Sequence, residues 1–128
     1  TRDKLEASVK RLCKSIAEGL RATAEVEYIR GVPPLLCEDE WVDRAVRVGE
    51  KLLGKEGVSI LPAPSMGGDD FAFLKENRPG VFVRLGGRTP NGPYGSMHSP
   101  SFYSDPAALP AGILTIAGLA LDFFGVDF

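Results

Sequence analysis

The side chain best suited to metal binding or catalysis is that of His98, the only histidine in the chain. It lies between Gly95-Ser96-Met97 and Ser99-Pro100, within residues 89–104, which are rich in glycine, proline and serine. A neutral imidazole is the commonest metal ligand in proteins, and long loops inside a domain are often functional. From the residues alone, His98 is either a metal ligand or a loop histidine without a chemical role.

A second candidate is the turn formed by Gly67, Gly68, Asp69 and Asp70, which precedes a short apolar segment. Adjacent aspartates at the start of a helix can accept hydrogen bonds from its free backbone N–H groups. They can also serve a metal site as ligands or as partners of ligands. Both interpretations of Asp69 and Asp70 stay open, and His98 with these two carboxylates falls short of a catalytic zinc site.

The remaining residues with reactive groups form no recognisable catalytic pattern. A serine nucleophile is not indicated, because no serine lies in a G-x-S-x-G frame and a single histidine leaves little for a triad. The glycine pairs do not extend into a phosphate-binding fingerprint. Two cysteines, Cys13 and Cys37, are too few for a disulfide framework.

Composition indicates one ordinary soluble domain, with 128 residues, 44% hydrophobic residues and a net charge of −2. Without a long block of like charge, nucleic acid is not expected as a partner. The first residues are not a signal peptide, so we expect a cytoplasmic protein. The longest apolar run, residues 107–121, is interrupted and shorter than the roughly 20 residues of a membrane span, so no membrane association is expected.

The elements that must position these side chains begin with a helix over residues 3–23. Leu5, Val9, Leu12, Ile16 and Leu20 are spaced by four, three, four and four residues, which places them on one helical face. Residues 24–30 alternate polar and apolar side chains, as in a half-buried strand. Pro33 and Pro34 then predict a stiff, extended boundary between domains.

The second part of the chain predicts a mixture of helices and short strands. A helix is expected over 38–53 because acidic residues fill its first turn and Gly54 follows its end. A closing helix is expected from Asp105, its cap, to about Phe124, and its apolar surface requires burial. The other predicted elements are strands at 58–61 and 81–85 and a short helix from Asp70 to about Glu76.

Five motifs in this order resemble the C-terminal part of the metal-dependent aminoacylase and carboxypeptidase family. The similarity is to its amidohydrolase branch, which contains hippurate hydrolases, N-acyl-amino-acid amidohydrolases and indole-acetyl-amino-acid hydrolases. It covers essentially the whole chain. The motifs are Arg30-Gly31-Val32-Pro33-Pro34, Met66-Gly67-Gly68-Asp69-Asp70-Phe71-Ala72, Pro79-Gly80-Val81-Phe82, Leu85-Gly86 and His98-Ser99-Pro100-Ser101-Phe102.

The resemblance implies an α/β fold with two domains. Residues 1–33 would be the last helix and strand of an α+β lid that often dimerises, so a homo-oligomer is expected. Residues 34–128 would be the C-terminal part of a zinc-peptidase-like catalytic domain. The reaction implied is hydrolysis of the amide bond of an N-acyl amino acid or short peptide.

The resemblance also implies roles for the candidate site residues. His98 would bind a divalent metal, with zinc expected and manganese, cobalt or nickel as alternatives. Gly67, Gly68, Asp69 and Asp70 would line the substrate site or support the metal ligands. Gly68 stands where the family commonly has serine, and Asp69 where it commonly has glutamate.

The family's other metal ligands, its general-base glutamate and its lid histidine have no counterpart in this chain. The metal site would be partial, since a metal-bound water needs several ligands and a base. We therefore expect no catalytic residue in this chain, and no activity from the chain alone. The alternative from another class is a non-catalytic remnant or interaction module that self-associates.

Overall fold

The computed structural model describes residues 1–92 and 95–128. Its helices are α1 (Arg2–Gly19), α2 (Asp39–Leu53), α3 (Phe71–Lys75) and α4 (Leu109–Phe123), with short 3-10 helices at Lys55–Gly57 and Pro106–Ala108. The chain divides into two compact units, Thr1–Pro33 and Pro34–Phe128. The predicted helices are confirmed, with α1 ending four residues earlier than the sequence indicated.

The first unit is held together by ion pairs between α1 and the chain that follows it. The guanidinium of Arg30 lies 2.6 Å from the carboxylates of both Asp3 and Glu6. Arg2 donates a hydrogen bond of 2.6 Å to the carbonyl of Val32. These contacts bring the extended segment back along α1, and they join side chains that are far apart in sequence.

The predicted strands do not form a sheet within residues 1–92 and 95–128, so the α/β class is not confirmed. Residues 24–30 do show the predicted alternation, since Ala24, Val26 and Tyr28 are half-buried while Glu25 and Glu27 are exposed. A strand, however, requires a neighbouring strand to exchange backbone hydrogen bonds. The described part of the chain is helical and otherwise irregular, and the predicted lid strand is not confirmed either.

The core of the second unit lies where α2 crosses α4. Val48 of α2 is 1% exposed, and Gly118 of α4 is buried beside it. A Cβ atom at Gly118 would lie 2.6 Å from Leu52 Cδ1 and 3.1 Å from Val48 Cγ1. The two helices can approach this closely only because residue 118 has no side chain.

Aromatic and charged side chains extend this helix contact. Trp41 stacks on Phe123 with ring centroids 5.6 Å apart. The guanidinium of Arg44 lies 5.2 Å from the Trp41 ring centroid and 3.1 Å from the carboxylate of Asp122. Arg47 also pairs with Asp122, at 3.0 Å. Cation–π contacts of this kind add to the apolar packing.

The expectation that the closing helix is buried is wrong for the described structure. Only Thr115 and Gly118 are buried in α4, whereas Ile113 is 66% and Ile116 is 72% exposed. The reason is that α2 covers only one side of α4.

The segment Pro106–Phe123, with mean hydropathy 1.5, is long and apolar enough to cross a membrane by length and composition. Core helices of soluble proteins also pass this test.

Replacing Gly118 by valine should destabilise the second unit by about 1–3 kcal/mol, because a larger side chain overpacks the crossing of α2 and α4. Urea unfolding followed by the fluorescence of Trp41, the only tryptophan, measures this change. Ala117→Val, one position away on the exposed side of α4, is the matched control. An equal effect of the two substitutions would contradict the close approach at residue 118.

Candidate functional site

Residues 67–70, for which the sequence predicts a turn and which keep that name below, continue directly into α3, and Asp70 is the turn residue next to the helix. A carboxylate oxygen of Asp69 accepts a hydrogen bond of 2.9 Å from the backbone N–H of Phe71. The carbonyl of Asp69 accepts another, of 3.0 Å, from the N–H of Ala72. Gly67, Gly68, Asp69 and Asp70 are all exposed. Asp69 therefore stabilises the start of the helix, which is one of the two roles that the sequence left open.

An ion pair anchors the other end of α3. The ammonium group of Lys75 lies 2.6 and 2.5 Å from the two carboxylate oxygens of Glu38, the residue before α2. The backbone N–H of Gly80 donates a further bond of 2.9 Å to the same carboxylate. The hydrogen bond from Lys75, followed by that from Gly80, lowers the pKa of Glu38 to about 2. Glu38 is thus a carboxylate anion under ordinary conditions.

His98 lies at the tip of a turn in the long loop and is exposed. Its backbone has a φ of 61°, in the left-handed region that residues other than glycine rarely adopt. Next to it, the hydroxyl of Ser99 donates a bond of 2.7 Å to the carbonyl of Ser96. The N–H of Phe102 donates to the carbonyl of Ser99 at 3.0 Å. These local bonds hold the turn that presents the imidazole.

Gly95 lets this loop fold tightly on itself. A Cβ atom at residue 95 would overlap the carbonyl oxygen of Ser101 and lie 2.6 Å from the backbone nitrogen of Phe102. The clash would be with backbone atoms, which cannot rotate away as a flexible side chain can. The position of His98 therefore depends on a glycine three residues before it.

Asp105 closes the base of the loop. Its N–H donates a bond of 2.7 Å to the carbonyl of Gly87, and its carboxylate accepts one of 2.7 Å from the Thr89 hydroxyl. The other carboxylate oxygen accepts from the N–H of Ala107 at 2.9 Å, which confirms the predicted cap. The hydrogen bond from Thr89, followed by that from Ala107, lowers the pKa of Asp105 below its ordinary value.

The described residues do not form a complete metal site. Over residues 1–92 and 95–128, no group of three or more histidine, cysteine, aspartate or glutamate side chains is arranged to hold a metal ion. The His98 imidazole can offer one ligand, while one carboxylate oxygen of Asp69 is already bonded to its own helix. The roles assigned to His98 and to residues 67–70 stay predictions.

Three residues that support the candidate site were missed by sequence reasoning. In the sequence, Thr89 only marks the start of a loop, Lys75 shows no role, and Glu38 is explained by the helix dipole alone. Each acts through a partner distant in sequence, which a local pattern does not reveal. The one available signal was Asp105, whose position before Pro106 marked it as a cap.

Comparison with known proteins identifies a family and several named relatives. The profile of peptidase family M20/M25/M40 matches residues 3–122. A probable hydrolase of Synechocystis is 32% identical over 94% of this chain and 30% of its own length. An IAA-amino acid hydrolase of the ILR1-like type from Arabidopsis thaliana is 32% identical over 72% of this chain and 21% of its own.

A third relative is the N-acetylcysteine deacetylase of Bacillus subtilis, 31% identical over 88% of this chain and 28% of its own length. The chain thus spans less than a third of each of these relatives. No solved structure gives a significant match. The similarity therefore concerns one portion of the relatives. The family match over residues 3–122 includes both the turn at 67–70 and the loop with His98.

Replacing Asp105 by asparagine should loosen the loop that carries His98, because the charged acceptor for Thr89 and Ala107 is lost. We expect amide hydrogen exchange at Phe102 to rise by about tenfold, the effect of one charge-assisted hydrogen bond.

Since the carboxylate has a lowered pKa, the wild-type loop should stay closed above pH 3.8, the ordinary aspartate value, and open as the pH falls further. Asp127→Asn, at the exposed end of the chain, is the control; equal exchange in both variants would contradict the role of Asp105.

Proposed function

Because the chain belongs to peptidase family M20/M25/M40, we propose that it is the C-terminal part of a metal-dependent amidohydrolase. The substrate would be an N-acyl amino acid or a short peptide, and the bond hydrolysed an amide. The match over residues 3–122 is the observation that carries this proposal. Relatives named as an N-acetylcysteine deacetylase and an IAA-amino acid hydrolase support the choice of an acylated amino acid.

In this proposal His98 supplies one ligand to a divalent metal, with zinc expected. The exposed imidazole lies on a loop that is fixed at its tip by Ser99 and at its base by Asp105. A ligand held in this way needs little reorganisation to bind. Metal-ligating histidines bind in the neutral form, so metal binding should weaken at acidic pH.

The turn at 67–70 would contribute to the wall of the substrate site. Its four residues are all exposed, and Asp69 is bonded to the start of α3. The described residues hold no complete ligand group. Other metal ligands and a proton-transferring base would have to come from further polypeptide, so we propose that this chain alone does not hydrolyse the substrate.

Replacing His98 by alanine in the full product of the reading frame that encodes this chain should lower both metal content and hydrolysis of N-acetylated amino acids. Loss of a residue that merely supports a ligand costs about 10–100-fold, so loss of a ligand should cost at least about 100-fold. Metal analysis and kcat/KM measure the two effects. Met97→Ala, the exposed neighbour, is the control. Unchanged metal content and rate would rule out this role for His98.

A second candidate function is self-association without catalysis. The apolar stripe of α1 supports it, since Leu5, Ile16 and Leu20 are 55%, 61% and 76% exposed. A contiguous apolar face of this kind is typical of an interaction surface. In this alternative the chain would be an interaction module whose partner is a second copy.

Replacing Ile16 by glutamate should shift the chain from dimer toward monomer in sedimentation velocity, because a charge would then lie within the apolar stripe. Ser15→Glu, an exposed neighbour on a different helical face, should leave the distribution unchanged. A wild-type chain that sediments as a monomer over the micromolar range would exclude self-association through this face.

A further inference from the structure

Helix α3 is too short to determine its own position. It comprises the five residues Phe71–Lys75, whereas isolated helices below about 12 residues are marginal in water. Its place must therefore be set by contacts with the rest of the second unit. Ala72 contributes one such contact, since it is 1% exposed. Phe71 contributes another through its ring, which lies 5.8 Å from that of Phe82.

The third contact is the buried ammonium group of Lys75. Its side chain is 6% exposed, and a buried lysine is costly unless its charge is paired. The carboxylate of Glu38 provides that pairing through both oxygens and also accepts from the N–H of Gly80. Three segments thus meet at one carboxylate: the end of α3, the residue before α2, and the backbone at Gly80.

The candidate turn at 67–70 has fewer contacts of its own. Residues 61–70 are all exposed, and the described contacts of the turn run forward into α3, from Asp69 to Phe71 and Ala72. Whatever fixes α3 therefore fixes the turn as well. The apolar contacts of Phe71 and Ala72 have no preferred direction, so by themselves they would allow α3 to shift along its neighbours. The paired hydrogen bonds of Lys75 have a defined direction and specify one placement.

We infer that Lys75 is a positioning residue, which through Glu38 holds the turn at 67–70 in place for the substrate. The inference rests on the proposed function for the role of the turn in catalysis. Its structural content concerns residues of this chain alone. Lys75 itself is buried and lies at the far end of α3, so it acts on the site through the helix.

The test is the substitution Lys75→Met, which keeps the unbranched apolar part of the side chain and removes the charged group. Amide hydrogen exchange in the full chain, without metal or substrate, should rise by about tenfold or more at Ala72, Phe73 and Gly80. Exchange across the crossing of α2 and α4 should change little. Lys55→Met, the same substitution at an exposed lysine, is the control.

Two further variants separate positioning from general stabilisation. Lys75→Arg, which can still pair with Glu38, should restore most of the protection. Lys75→Met and Glu38→Gln should also be combined in a double variant. Amide hydrogen exchange at Ala72 should then be no faster than in whichever single variant is more affected, because the two side chains act as one unit.

The inference is overturned if exchange at Ala72 and Phe73 is unchanged. It is equally overturned if exchange rises throughout the second unit and the urea midpoint of Trp41 fluorescence falls in proportion. Because these measurements need neither metal nor substrate, they are independent of the His98→Ala test. Failure of that test would remove the catalytic purpose of the turn and leave the measured effect of Lys75 on its position intact.

Discussion

The carboxylate of Asp105 is the interaction on which the arrangement of the second unit depends. One oxygen accepts from Ala107 in the 3-10 helix that leads into α4, and the other accepts from Thr89 at the start of the loop. The same residue binds Gly87 through its backbone. A single side chain thus joins the loop that carries His98 to the helix that packs against α2. Without this carboxylate, the loop base would lose the hydrogen bonds from Thr89 and Ala107.

Glu38 has a corresponding position at the other candidate segment. It joins the end of α3 to the start of α2, with Lys75 and Gly80 as its partners. In both cases a carboxylate at the start of a helix accepts bonds from a segment distant in sequence. The lowered pKa of Glu38 and of Asp105 has the same cause, since each anion is stabilised by several donors. Each candidate segment is therefore held by a carboxylate that lies outside the segment.

The helices and the family could be predicted from the sequence, whereas the supporting contacts could not. The spacing of Leu5 to Leu20 specified α1, and Gly54, with φ of 77°, ends α2 as expected. Family membership, predicted from five motifs in order, is confirmed by the match over residues 3–122. Strand patterns, in contrast, indicate a half-buried surface and cannot supply a neighbouring strand. The predicted burial of α4 was wrong for the same reason, because an apolar surface does not show which element covers it.

Helix α4 packs against α2 at Gly118, which lies within α4 and away from its ends. A change in the angle between the two helices would therefore move the ends of α4. At residue 118 the backbone of α4 lies against Leu52 and Val48 of α2, and the start of the helix at Leu109 lies about 14 Å away at 1.5 Å per residue. A change of tilt of about 5° at residue 118 would therefore displace the loop base by about 1 Å. Displacements of that size matter for catalytic geometry. Selection on the fit between the two helices would then also act on the position of the loop that carries His98.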